Sequence, residues 1–229
     1  PWSASHPERT LAPEAPCLCN NADAYAGQGV NTRTGNYTHQ ARDFSVPDLG
    51  LPLAFERSYN ALATEDSALG TGWTHSYNTH LTVDGGTAIT LTAPRGSQVR
   101  FTRAVTSSDV YTAAPGVRAE LTVNPNGTYR VTRGDDLVYT FTATGTLTAI
   151  ADSLGRTTIL TYTGDKLTEI GGAGGRVLEL DYDEQDRLEN VIDDQGRTIT
   201  YTYDTATDAL ETVTDLAGPG AIPASAVEV

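Results

Sequence analysis

The sequence predicts an all-β chain, and its last third an antiparallel β-hairpin ribbon. Three observations predict this. A segment of fixed length recurs, apolar and polar residues alternate with period two inside it, and 22 Gly and 11 Pro accompany abundant Thr with no helical pattern anywhere. The segments run from Leu147 through Gly155-Arg156 to Tyr162, from Leu167 through Gly175-Arg176 to Tyr182, and from Leu188 through Gly196-Arg197 to Tyr203. Leu to Gly is eight residues and Gly to Tyr is seven in all three, whereas Tyr to the next Leu drifts through five, six and seven. A fourth unit opens at Leu210. Such self-similarity marks a stacked array in which no unit buries its apolar face alone.

Taken in order, residues 1–28 lack periodicity, carry Pro7, Pro13 and Pro16, and read as an extended arm. Residues 29–144 read as an N-terminal β domain. Leu51, Leu53, Phe55 and Arg57 alternate with Pro52, Ala54 and Glu56, and Trp73, His75, Tyr77, Thr79, Leu81 and Val83 are expected to share one strand face. Asp84-Gly-Gly86 and Asn124-Pro-Asn-Gly127 are hairpin turns, the latter between Ala119–Val123 and Thr128–Arg133. Arg133-Gly-Asp135 has the form of an integrin-binding tripeptide, and turn chemistry is the preferred reading.

Residues 145–218 hold the repeats. Gly-Arg tolerates no length change and reads as a tight turn with Gly at positive φ. The Tyr-to-Leu junction absorbs single residues, as an exposed loop does. In the second strand one face reads Thr158, Leu160, Tyr162; Leu178, Leu180, Tyr182; Ile199, Tyr201, Tyr203, and the opposite face is mostly polar. A Tyr-Leu ladder across neighbouring strands would join the units, each Tyr touching the Leu or Ile two residues before its neighbour. Residues 219–229 read as a truncated tail. A chain without Met that stops in such a segment reads as a fragment.

The pattern Leu-x-x-Ile/Val-x-Asp-x-x-Gly-Arg, closing on Tyr-Asp, resembles the YD repeats of the Rhs and teneurin families. Tyr182-Asp183 and Tyr203-Asp204 match literally. The first unit has Tyr162-Thr163, the middle unit has Gly172 where Asp152 and Asp193 stand in the others, and the fourth has Gly218-Pro219 in place of Gly-Arg. Upstream, Gly29 to Asn36, Asp43 to Pro47, Leu51 to Asn60 and Leu69-Gly-Thr-Gly-Trp73 resemble the domain that often precedes YD repeats in bacterial Rhs proteins. The resemblance implies that the ribbon is continuous with this domain in a spiralling β-sheet shell around a toxin or other cargo. Self-cleavage in such proteins resides in a segment after the repeats, so no catalytic residue carries over.

A net charge of −14 argues against nucleic acid and anionic membranes as partners. No apolar run reaches the roughly 20 residues of a membrane-spanning helix. Cys17-Leu-Cys19 leaves four readings open: free thiols, a strained local disulfide, bonds to the rest of a parent chain, or half a zinc site, with free or externally bonded thiols preferred. A zinc site would need two more ligands; His6 and His39 are candidates, but nothing in the sequence places them near the thiols. His75 and His80, five apart, are expected on opposite strand faces, and no Ser-His-Asp set or paired acids can be assembled.

The expectation is a non-catalytic structural segment, secreted or at the cell surface, with no cofactor or metal and no membrane insertion. Its partners would be the rest of the parent chain, including a C-terminal toxin domain. The rival is an adhesion module binding a cell-surface protein or glycan through its Tyr-rich face. Burial of Tyr162, Tyr182 and Tyr203 would favour the first and their exposure the second.

Overall fold

The computed structural model describes residues 25–26, 29–31, 34–84, 87–103, 109–216 and 227–228. Cys17, Cys19, His6, most of the 1–28 arm, Gly85-Gly86, Gly218-Pro219 and most of the tail lie outside the described residues. Among those described there are strands and no helix. In chain order they are β1 (Tyr25–Ala26), β2 (Val30–Asn31), β3 (Thr38–Val46), β4 (Leu53–Asn60), β5 (Trp73–His75), β6 (His80–Asp84), β7 (Ala88–Thr92), β8 (Gln98–Thr102), β9 (Val110–Ala113) and β10 (Ala119–Val123). They continue with β11 (Tyr129–Arg133), β12 (Val138–Phe141), β13 (Leu147–Ala151), β14 (Thr157–Thr163), β15 (Lys166–Gly171), β16 (Val177–Tyr182), β17 (Leu188–Asp193), β18 (Thr198–Tyr203), β19 (Leu210–Leu216) and β20 (Val227–Glu228).

Strands β6 to β20 form one 15-stranded sheet in which every strand pairs with its sequence neighbours. The pairing is antiparallel throughout, and β12 pairs with β13 with a shift of register between Thr140 and Phe141. Strands β3, β4 and β5 form a separate three-stranded sheet, and β1 pairs with β2.

The sheet curls back on itself. The Leu81 N–H donates to the Gly145 carbonyl at 2.8 Å, and His80 bridges Thr146. Edge strand β6 is thereby tied to the turn between β12 and β13. Gly145 has φ of 95°, and a Cβ there would lie 2.1 Å from the Leu81 carbonyl oxygen, so only glycine lets the two backbones meet.

The three repeats occupy equivalent places. Ile150 pairs with Thr158, Ile170 with Leu178, and Val191 with Ile199. Each unit then bulges one residue before its Tyr, which pairs with the next Leu: Tyr162 with Leu167, Tyr182 with Leu188, Tyr203 with Leu210. The alternation holds. Leu160, Leu178, Leu180, Ile199 and Tyr201 are buried, while Ile159, Thr161, Glu179, Asp181 and Thr202 face out. In the fourth unit Val227 faces Val213, the place Ile199 takes opposite Val191.

One expected strand is corrected. Trp73 to Val83 is not a single element: the chain turns at residues 76–79 and passes from the small sheet into the large one. Trp73, His75, Tyr77, Thr79 and Leu81 are all buried, but Val83 is 40% exposed. His75 and His80 accordingly belong to different sheets rather than to two faces of one strand.

The small sheet covers the apolar face of the large one. Phe44, Val46, Leu53, Phe55, Leu69 and Trp73 share one core with Leu160, Leu178, Leu188, Val191 and Tyr201. Each buried side chain of this size stabilises by about 1.5–3 kcal/mol. Neither layer can bury its apolar residues without the other.

Candidate functional site

The expected turns form at Gly155, Gly175 and Gly196, with φ of 78°, 88° and 78°. In the first, the Gly155 N–H donates to the Asp152 carbonyl at 2.9 Å and the Asp152 N–H to the Arg156 carbonyl at 3.0 Å. This is a three-residue hairpin loop closed by a glycine bulge. Asp152 caps it. Its Oδ1 accepts from the N–H groups of Leu154 and Arg156 at 2.9 and 3.0 Å, and its Oδ2 accepts from Arg156 Nε at 2.6 Å. Asp193 repeats the arrangement with Gln195, Arg197 and Arg197 Nε at 3.0, 2.9 and 2.7 Å, and its side chain is wholly buried. Desolvation works against the charge of both aspartates, yet the Arg side chain and the backbone N–H groups win and hold both carboxyls below the usual range. In the middle unit Gly172 supplies no carboxylate, and Arg176 Nε donates instead to Asp194 at 2.9 Å.

The Tyr-to-Leu junctions are tighter than expected. Asp183 to Arg187 forms the same closed turn, with Asp186 at φ 65° in the glycine position, and Asp183 Oδ1 accepts from Gln185 and Arg187 at 3.0 and 2.8 Å. Thr163 and Lys166 face each other across a two-residue turn with Gly164 at φ 63°. These junctions vary in length because several compact turns fit there, not because the chain is loose.

The tyrosines differ in burial. Tyr203 is buried, while Tyr162 and Tyr182 are half-buried against the core. The contact differs from the expected ladder: Tyr182 donates to the carbonyl of Leu167 at 2.9 Å and Tyr203 to that of Leu188 at 2.6 Å, each closing its own unit. Desolvation pushes the Tyr162 and Tyr182 hydroxyls up to about 12 and Tyr203 higher still.

Contacts that the sequence did not predict fasten the small sheet to these units. The Tyr203 hydroxyl also donates to the Ala68 carbonyl at 3.1 Å, and the Leu188 N–H donates to it at 2.7 Å. Asp43 and Arg57 form a buried pair at 3.0 Å, and the Tyr201 hydroxyl donates to Asp43 Oδ2 at 2.8 Å. Burial pushes the Asp43 carboxyl up, and Arg57, which stands 5.1 Å from the Trp73 ring centre, opposes it. The two halves of this network lie 158 residues apart in the chain, so no local pattern announces it.

An open cleft of about 980 Å³ lies between residues 66–78 and the Tyr-to-Leu junctions. Tyr162, Tyr182, Lys166, Asp186, Asp66 and Asp208 are among its walls. Lys166 pairs with Asp186 and sits 5.4 Å from the Tyr182 ring centre, while Arg187 binds Asp183 and Asp208 at 2.8 and 3.0 Å. His75 also lines it. The imidazole is stacked on Phe55 with ring centres 5.2 Å apart, accepts from the Tyr77 N–H at 3.3 Å, and is lowered by burial to about 4.

The Arg-Gly-Asp tripeptide sits in the β11–β12 turn, where Arg133 pairs with Asp135 at 3.3 Å and donates to the Tyr139 hydroxyl at 3.1 Å. No cluster of potential metal ligands occurs among the described residues. Among the described residues no helix is long and apolar enough to cross a membrane.

Residues 27–101 match a family described as a domain of unknown function, DUF6531. The tRNA3(Ser)-specific nuclease WapA of Bacillus spizizenii is 30% identical over 140 residues, which is 61% of this chain and 6% of the nuclease. The chain thus spans a small fraction of that relative. Both similarities are consistent with an Rhs/YD-type protein.

Proposed function

We propose that the chain is a non-catalytic structural segment of a secreted or cell-surface Rhs-type protein, in which the repeats build part of a β-shell around a toxin or cargo domain. The observation that carries this reading is the 15-stranded sheet that curls back on its own first strand while the small sheet covers its apolar face. The named residues then have structural duties. Gly155, Gly175 and Gly196 make the turns, Arg156 and Arg197 hold the capping aspartates, Arg176 reaches Asp194, and Tyr182 and Tyr203 close their units. Tyr162 packs on the core in the first unit. In the parent chain, sequence following the repeats is expected to resist protease until the shell is disrupted.

The cleft supports a second reading, an adhesion module for a glycan or cell-surface protein, because half-buried Tyr162 and Tyr182 line it beside charged groups. One set of assays separates the readings. Nucleic acids, peptidoglycan, glycans and peptides incubated with the purified chain are expected to show no turnover, with or without divalent metal. Saturable hydrolysis abolished by one substitution overturns the structural reading. Glycan binding lost in Tyr162→Ala and Tyr182→Ala chains that remain folded would move the function to adhesion.

A further inference from the structure

The middle repeat lacks its capping aspartate, yet its turn does not lack a carboxylate. Asp48, 126 residues upstream in the link between β3 and β4, accepts from the Gly174 N–H at 3.0 Å. Gly174 stands two residues after Gly172, as Leu154 stands after Asp152 and Gln195 after Asp193. Those are the N–H groups that Oδ1 of the resident aspartate accepts in the other two units. A side chain from the small sheet thus makes, from outside, a bond that the repeat elsewhere makes for itself.

The space confirms the substitution. A Cβ built on Gly172 would lie 1.9 Å from Asp48 Oδ2, and one on Gly174 would lie 2.1 Å from Oδ1. Neither glycine is at positive φ, so backbone conformation does not require them. What requires them is the incoming carboxylate. The first unit gives the contrast: Gly50 approaches its turn so that a Cβ would meet Arg156 Nε and Asp152 Oδ2 at 3.1 Å, but Asp152 keeps its own cap there.

We propose that the 172–176 turn is a carboxylate receptor, that Asp48 is its ligand, and that Gly172 marks the repeat on which the small sheet seats. The departure from the repeat pattern is then an address. An array of near-identical turns offers several places to land, and a missing carboxylate distinguishes one of them. Asp at this position would fill the receptor from within and exclude Asp48 by contact and by like charge. This goes beyond the structural role proposed above and does not depend on what a shell encloses.

The test uses the whole chain and two readouts, amide hydrogen exchange at Gly174 and protease cleavage within residues 47–52. Asp48→Ala is expected to speed Gly174 exchange about tenfold and to accelerate cleavage of the link. Gly172→Asp is expected to accelerate cleavage while Gly174 stays protected by the new carboxylate. The double variant is expected to return Gly174 exchange to within about twofold of the parent. Unchanged Gly174 exchange in Asp48→Ala overturns the proposal, as does a double variant in which protection does not return. Should Gly172→Asp fail to fold alone, the exchange rates of the other two variants decide.

Discussion

At the scale of residues, the fold resists the positive charge of His75. Burial lowers its pKa from 6.5 to about 4, so the folded state holds it neutral while the unfolded chain protonates it first. Its contribution is therefore complete above pH 6.5 and is lost progressively as the pH falls toward 4. The full loss is about 3 kcal/mol for a shift of this size. Denaturant melts across this range should show the decline, and a His75→Gln chain should show a flatter profile between pH 6.5 and 4. Its remaining acid loss belongs to the capping aspartates, whose depressed pKa values make their contribution disappear only at lower pH. A slope unchanged by the substitution would assign the acid sensitivity elsewhere.

At the scale of elements, the same closed turn recurs well beyond the lettered repeats. Residues 93–97, 124–128, 133–137 and 142–146 share the hydrogen bonds of 152–156, with Gly96, Gly127, Asp136 and Gly145 at positive φ. Phe141 pairs with Leu147 just after a bulge, as each repeat Tyr pairs with its Leu. The hairpin lengths of the last third were legible because the letters Leu, Gly-Arg and Tyr recur. Upstream the geometry persists with different letters, since a turn of this kind needs only a residue tolerant of positive φ, and a bulged ring position accepts Phe as well as Tyr. The contacts of Asp43, Asp48 and Ala68 were not legible, because they join segments far apart in the chain. Gly172 was visible as a departure, but its partner was not. Substituting the turn glycines separates conformational strain from close approach. Gly155→Ala meets nothing within 4 Å and should cost about 1 kcal/mol through φ alone, whereas Gly145→Ala also strikes the Leu81 carbonyl and should cost at least twice that in urea melts. Equal costs would mean that β6 yields at no cost.

At the scale of the molecule, the small sheet and the long one share a core and should unfold together. In a Trp2→Phe chain, the fluorescence of Trp73 reports the small sheet and far-ultraviolet circular dichroism reports mainly the long one. Coincident denaturant midpoints are expected, and separated midpoints would show two independent units.

The bond from Leu81 to Gly145 has a bearing on synthesis. The loop it closes, β6 to β12 with the turn that follows, needs no residue beyond Thr146. It can therefore form while the repeats are still inside the ribosome, at the usual pace of about 5–20 residues per second. Each later hairpin then emerges beside a finished strand and has only one free margin on which to add. Growth is vectorial: the β6–β12 loop is sealed first, and the small sheet gains its seat only once the repeats carrying Gly174, Leu188 and Tyr201 have been made.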